Sequence, residues 1–150
     1  MTDWQARVDS PAKKPRLLVV DDSKLDLKMN RDAFEKRGYE VVTACANDDF
    51  LFPEELAELI QREKPDCILT DFAMGFMNGF DTLEAAQQVA PGVPVVLNSS
   101  VPSDATKLSG KPLEALVGPQ GFAAIHLKGQ ANAIDAVFKE CLAKGQSPTR

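Results

Sequence analysis

Four short apolar runs in this chain each stop at residues able to do chemistry. "RLLVV" runs into Asp21 and Asp22, and "DCILT" runs into Asp71. "VPVVLNSS" stops at Ser99 and Ser100, and "FAAIHL" stops at Lys128. If the first and third runs are neighbouring strands, three carboxylates crowd one edge. Charges that close repel and raise one another's pKa unless a cation lies between them. A hard divalent ion with oxygen ligands answers this, and Mg²⁺ (or Mn²⁺) suits it, since Mg²⁺ takes a few protein oxygens and keeps several waters. Lys128 adds a movable positive charge and Ser99 a hydroxyl donor. A carboxylate can act as a nucleophile toward phosphorus. Phosphoryl transfer asks mainly for in-line placement and charge neutralisation. Asp71, alone at the end of a buried-looking strand, is read as the phosphoryl acceptor.

The elements that must place these residues alternate. A short continuous apolar run fits a strand buried on both faces. After "DDSK", Leu25, Met29, Ala33 and Phe34 recur at helical spacing until Gly38. "YEVVTA" is a second strand. Pro53, Glu54 and Glu55 open a helix that carries Leu56, Leu59 and Ile60 on one face. Leu83, Ala86 and Val89 mark a third helix. Ile134, Val137, Phe138, Cys141 and Leu142 form the best amphipathic stripe, closed by Gly145. Alternating strands and helices imply right-handed crossovers and a doubly wound parallel sheet. Val101–Gly121 holds three prolines and three glycines, so no long helix is expected there. One short helix is placed near Leu113–Val117.

Composition narrows the function classes. The chain has 150 residues, enough for one domain with a real core. Its net charge of −5 argues against nucleic acid as the main partner. No apolar run reaches membrane-spanning length and no signal peptide is visible, so a cytoplasmic protein without a membrane partner is expected. Cys45, Cys67 and Cys141 lack paired spacing and read as reduced packing residues. A single His and no Cys cluster make a zinc site improbable. "LSGKP" lacks the upstream Gly and the hydroxyl residue of a P-loop. Residues 1–15, with "KKPR", read as a flexible solvated tail, 16–145 as the domain and 146–150 as a second tail. His126 reads as structural. Met74, Phe76 and Met77 fit either an exposed partner patch or local packing.

These residues carry a resemblance. "LLVVDDSK", "PDCILTDFAMGFMNGFD", "VPVVLNSS" and "HLKG" resemble, in order, the first strand with its acidic pair, the phosphoacceptor segment, the switch-hydroxyl strand and the lysine strand of CheY-like receiver domains of two-component response regulators. The match covers about Arg16 to Gly145. It implies a flavodoxin-like (βα)5 sheet with strand order 2-1-3-4-5 and an irregular or shortened fourth helix. By position, Asp71 resembles the phosphoacceptor, Asp22 the main metal ligand and Asp21 the second acid. The backbone carbonyl of Ala73 resembles the remaining protein ligand, Ser99 the switch hydroxyl and Lys128 the family lysine.

The chain also departs from the family pattern. Gly75 and Gly129 stand where prolines are usual, Ser100 where Ala is usual, and Ile125 where an aromatic switch residue is usual. The usual signalling face, fourth helix through fifth, is therefore expected to work in a non-standard way. The resemblance implies a single-domain signalling switch phosphorylated on Asp71 by a histidine kinase or phosphotransfer protein. Its output would be binding to a downstream protein or phosphorelay, with homodimerisation left open. It would be no enzyme beyond its own phosphoryl transfer and self-dephosphorylation, the latter slow because Ala73 and Val101 cannot position water. Two alternatives carry different signatures. A receiver-like adaptor would signal without phosphate. A haloacid-dehalogenase-type phosphatase would need D-x-D after the first strand, and "DDSK" does not provide it.

Overall fold

A computed structural model describes residues 14–145. Both expected tails fall largely or wholly outside them. In chain order the elements are β1 (Arg16–Asp21), α1 (Lys24–Glu35), β2 (Glu40–Cys45), α2 (Pro53–Glu63), β3 (Cys67–Thr70), β4 (Ala73–Met74), β5 (Met77–Asn78), α3 (Gly79–Val89), β6 (Val95–Ser99), α4 (Ser103–Ser109), α5 (Leu113–Leu116), β7 (Ala124–Leu127) and α6 (Ala131–Ala143). The five main strands are parallel in the order β2-β1-β3-β6-β7. That is the expected 2-1-3-4-5 sheet, because the small antiparallel hairpin β4-β5 takes two numbers of its own.

The apolar strands are buried because helices cover both faces. On one face, Leu18, Val20, Ile68, Val95 and Leu97 pack with Leu56, Leu59 and Ile60 of α2 and Ala85 and Ala86 of α3. On the other, Leu17, Val19, Leu69 and Val96 pack with Leu27 and Phe34 of α1 and Ile134 and Phe138 of α6. The α6 stripe therefore does what its spacing predicts: Ile134, Phe138 and Leu142 are buried. Cys45, Cys67 and Cys141 are free thiols, the first two buried. No helix among the described residues is long and apolar enough to cross a membrane.

Two expectations need correction. Leu25 and Met29 are exposed, at 66% and 59%, and Leu27 and Phe34 make the buried face of α1. The expected short helix near Leu113–Val117 is present as α5, but a separate helix, α4, precedes it. Pro102 lies at its start, and Gly110, at φ +71°, ends it in the left-handed region that glycine enters without cost. Proline and glycine have thus divided this segment into two short helices. Where a long helix would have covered the sheet, Phe122 is fully buried and its ring lies 5.8 Å from that of Phe80, itself edge-on to Phe72. For Met74, Phe76 and Met77 the two readings left open divide between the residues. The β4-β5 hairpin divides them, burying both methionines and leaving Phe76 88% exposed at its tip.

Candidate functional site

Beyond the carboxyl ends of the strands the sequence-selected acids converge. In the parallel register of β1 and β3, Val20 pairs with Thr70, so Asp21 and Asp71 come next in line. The Asp71 N–H donates to the Val20 carbonyl at 2.8 Å, which ties its backbone to the neighbouring strand. One carboxylate oxygen from each of Asp21, Asp22 and Asp71 lies within 4.8 Å of the others. Asp21 and Asp71 are buried, at 2% and 8% exposure, whereas Asp22 faces solvent.

Local turns hold this cluster. Asp21 Oδ1 accepts from the Ser23 N–H at 3.0 Å, and Ser23 Oγ in turn caps α1 by accepting from the Asp26 N–H. On the other side, Asn78 caps α3: its Oδ1 accepts from the Phe80 and Asp81 N–H groups, and Asp81 accepts from the Asn78 N–H. Gly79 opens α3 against the end of β3. A Cβ there would sit 2.5 Å from Leu97 Cδ1 and 3.2 Å from the Asp71 carbonyl oxygen. Thr70 Oγ1 bonds both Thr82 Oγ1 and the Asp71 carbonyl oxygen, each at 3.0 Å. Asp71 is thus fixed in backbone position from both neighbouring elements.

The electrostatics follow from burial. Removal from water pushes the Asp21 carboxyl up from 3.8 to about 7; the Ser23 N–H works against this and the Asp71 charge adds to it. Asp71 is also raised, mainly by burial, with Lys128 opposing. The Lys128 ammonium lies 3.4 Å from Asp71 Oδ1 and 3.5 Å from Asp21 Oδ2, and donates to Asp26 Oδ2 at 2.6 Å. Burial disfavours its charge, but the Asp26 hydrogen bond, then Asp21 and Asp71, outweigh that and hold it protonated.

Lys128 therefore joins the carboxylates directly, immediately beyond β7. Ser99 is buried at the end of β6, and its carbonyl accepts from the Lys128 N–H at 3.0 Å. Its Oγ accepts from the Val101 N–H at 3.2 Å, so the hydroxyl is engaged with the following loop. Ser100 is exposed past the strand end. Ala73, two residues beyond Asp71, is exposed in β4. Ile125 packs half-buried against the core on the α2–α3 face. His126 Nδ1 lies 3.0 Å from Gln130 Oε1. Sequence reasoning assigned no role to Asp26. An acid in the first turn of the helix that opens at the acidic pair was its only signal.

A hard divalent cation fits this donor set. Three carboxylates converge, and the two buried ones are held partly against ionisation, a cost that an ion of charge +2 offsets.

The comparisons agree with this fold. The response regulator receiver domain family matches residues 17–115. The chemotaxis protein CheY of Thermotoga maritima is 30% identical over 86 residues, 57% of this chain and 68% of that protein. The protein-glutamate methylesterase/protein-glutamine glutaminase of Pyrococcus abyssi is 29% identical over 133 residues, 85% of this chain but only 35% of that protein. A solved response regulator receiver domain from Clostridium thermocellum has the same fold, with a TM-score of 0.68 at 20% identity, covering 88% of this chain and 97% of that one. The protein is a receiver-type α/β signalling domain. The chain belongs to the response regulator receiver domain family. The family match ends before Lys128.

Proposed function

We propose that residues 16–145 form a phosphorylatable switch of a two-component system, with Asp71 as the acceptor. The observation that carries this reading is one constellation: a backbone-fixed, buried Asp71 with Asp21 and Asp22 oxygens within 4.8 Å and the Lys128 ammonium at 3.4 Å. An Asp71 carboxylate oxygen forms a bond to phosphorus. The bond from phosphorus to the donor, a phosphohistidine nitrogen of a histidine kinase or phosphotransfer protein, breaks, and its electron pair leaves with the imidazole. Asp22, Asp71, Asp21 and the Ala73 carbonyl would hold Mg²⁺ or Mn²⁺, which when bound neutralises charge on the phosphoryl oxygens. Lys128 carries a further positive charge at the acceptor, and Ser99 offers its O–H to the new phosphoryl group. The chain acts on no other substrate, works in the cytoplasm, and passes its signal to a partner protein or along a phosphorelay.

Incubation with acetyl phosphate and Mg²⁺ should add one phosphoryl group to the wild type, read as intact mass, and none to Asp71→Ala. Equal labelling of both proteins would contradict the assignment. A second reading, an adaptor that signals without phosphate, is favoured by one feature: Ile125 packs against the core in the place of an aromatic switch residue. Partner affinity unchanged between phosphorylated wild type and Asp71→Asn would select it.

A further inference from the structure

The shortest contact of Lys128 lies outside the cluster suited to a metal. Its Nζ donates to Asp26 at 2.6 Å, against 3.4 Å to Asp71 and 3.5 Å to Asp21. The Lys128 N–H is tied to the Ser99 carbonyl at 3.0 Å, but little restrains the chain beyond it or the long side chain itself. The lysine follows the last residue of the edge strand β7, and Gly129 after it has φ +88° with nothing within 4 Å of where a Cβ would lie. The lysine stem is flexible and the ammonium is a compact point charge, so the surrounding acceptors decide where it rests.

Those acceptors lie on two sides. Asp26, in the first turn of α1, draws the ammonium toward a cavity of about 200 Å³ between α1 and the start of α6. Asn98 lines the same cavity, and its Oδ1, in a side chain only 3% exposed, has no hydrogen-bond partner among the described residues. On the other side stand Asp71 and Asp21, both buried and both needed for ligation or attack. Without Asp26, only these two carboxylates would remain within ion-pair distance, and the ammonium would settle on them. A lysine settled there occupies the lone pairs that a cation and a phosphorus atom require.

We propose that Asp26 is a positioning residue that acts through Lys128. By anchoring the ammonium on the α1 side it leaves Asp71 and Asp21 open to a divalent cation and to the phosphoryl donor. This rests on the reading of Asp71 as phosphoacceptor. It makes Asp26 more than a fourth negative charge near the pocket, and the two accounts part in the absence of the lysine. A fourth charge would attract Mg²⁺ whether or not Lys128 is present; a positioning residue has nothing to position once Lys128 is gone.

The test is a double-mutant cycle on Asp26→Asn and Lys128→Gln. Mg²⁺ affinity is read by titration calorimetry, and phosphorylation rate by acetyl phosphate at saturating Mg²⁺. Asp26→Asn should weaken Mg²⁺ binding about tenfold in the wild-type background, with slower phosphorylation, and should change either by less than about twofold beside Lys128→Gln, a coupling in the range of contacting residues. Asp26→Ser, with a denaturation midpoint for each variant, separates this from a folding defect. Equal losses in both backgrounds, or no loss in either, would overturn the role of Asp26 while leaving the phosphoacceptor standing. A wild type that neither binds Mg²⁺ nor gains a phosphoryl group would overturn both.

Discussion

The two halves of the strand-end edge are built differently. At its centre, Asp21 and Asp71 stand at the ends of adjacent, largely buried strands, and each is tied to its surroundings by main-chain hydrogen bonds of 2.8–3.0 Å. At its rim, β7 is an edge strand with no fully buried residue, and Lys128 hangs from a chain that turns at Gly129. Its position is set by side-chain charge, chiefly Asp26 at 2.6 Å. The buried carboxylates are therefore placed by the fold, whereas the lysine's ammonium, at the end of a flexible stem on a backbone tied to Ser99, is placed by electrostatics. Backbone placement is rigid and independent of salt; electrostatic placement can be shifted by a single charge. The family match follows the same division, covering the centre and ending at residue 115.

Disturbing the rim should affect rate and leave the fold intact. Lys128→Gln removes the ammonium nearest Asp71 and should slow phosphorylation by acetyl phosphate about 10²-fold, the scale for losing one preorganised stabilising group. Its denaturation midpoint should change little, since the lysine follows the edge strand β7. A rate within twofold of wild type would show that the lysine is not part of the chemistry.

Disturbing the centre should affect the fold. The Cβ of Gly79→Ala would meet Leu97 Cδ1 at 2.5 Å and press on the Asp71 carbonyl. A cost of about 1–3 kcal/mol is expected, the range for overpacking. Gly110→Ala, in open space beyond α4 at φ +71°, should cost about 1 kcal/mol from backbone strain alone. Urea denaturation ranks the two, and a reversed order would deny the tight joint behind Asp71.

A further effect should come from pH. Asp21 titrates near 7 in the fold against 3.8 ordinarily, because burial disfavours its charge. The folded carboxyl therefore holds its proton more tightly than the unfolded one. Its stabilising contribution is complete below pH about 4 and is lost as the pH rises through about 7. Asp71, also raised, acts in the same direction. Chelator-treated protein should have a lower denaturation midpoint at pH 8 than at pH 5.5, and Mg²⁺ should restore more at pH 8. A midpoint that rises with pH would show that the acids are not held against ionisation.

Much of this was legible in the chain. Continuous apolar runs specified buried parallel strands, and their last residues specified the edge where Asp21, Asp22, Asp71 and Lys128 meet. The stripe on α6 specified its own buried face. The rest depended on contacts that periodicity does not encode. Leu25 and Met29 share helical spacing with Ala33, yet Leu27 and Phe34, seven apart, are the pair that the sheet covers. The segment after Ser99 resolves into α4 and α5 because Gly110 and Pro112 stop one helix and start another, and composition alone revealed only that a long helix would fail. Asp26 was missed because its partner lies 102 residues away. The β4-β5 hairpin was missed because each strand has only two residues, too short for any alternation.

The central claim is that Asp71, and no other acid of the cluster, receives the phosphoryl group. The most direct measurement treats protein labelled by acetyl phosphate and Mg²⁺ with borohydride, which reduces an aspartyl phosphate to homoserine, and then maps the peptides by mass. The account predicts homoserine at position 71 alone. Homoserine at position 21 or 22, or stoichiometric labelling with position 71 unmodified, would contradict it.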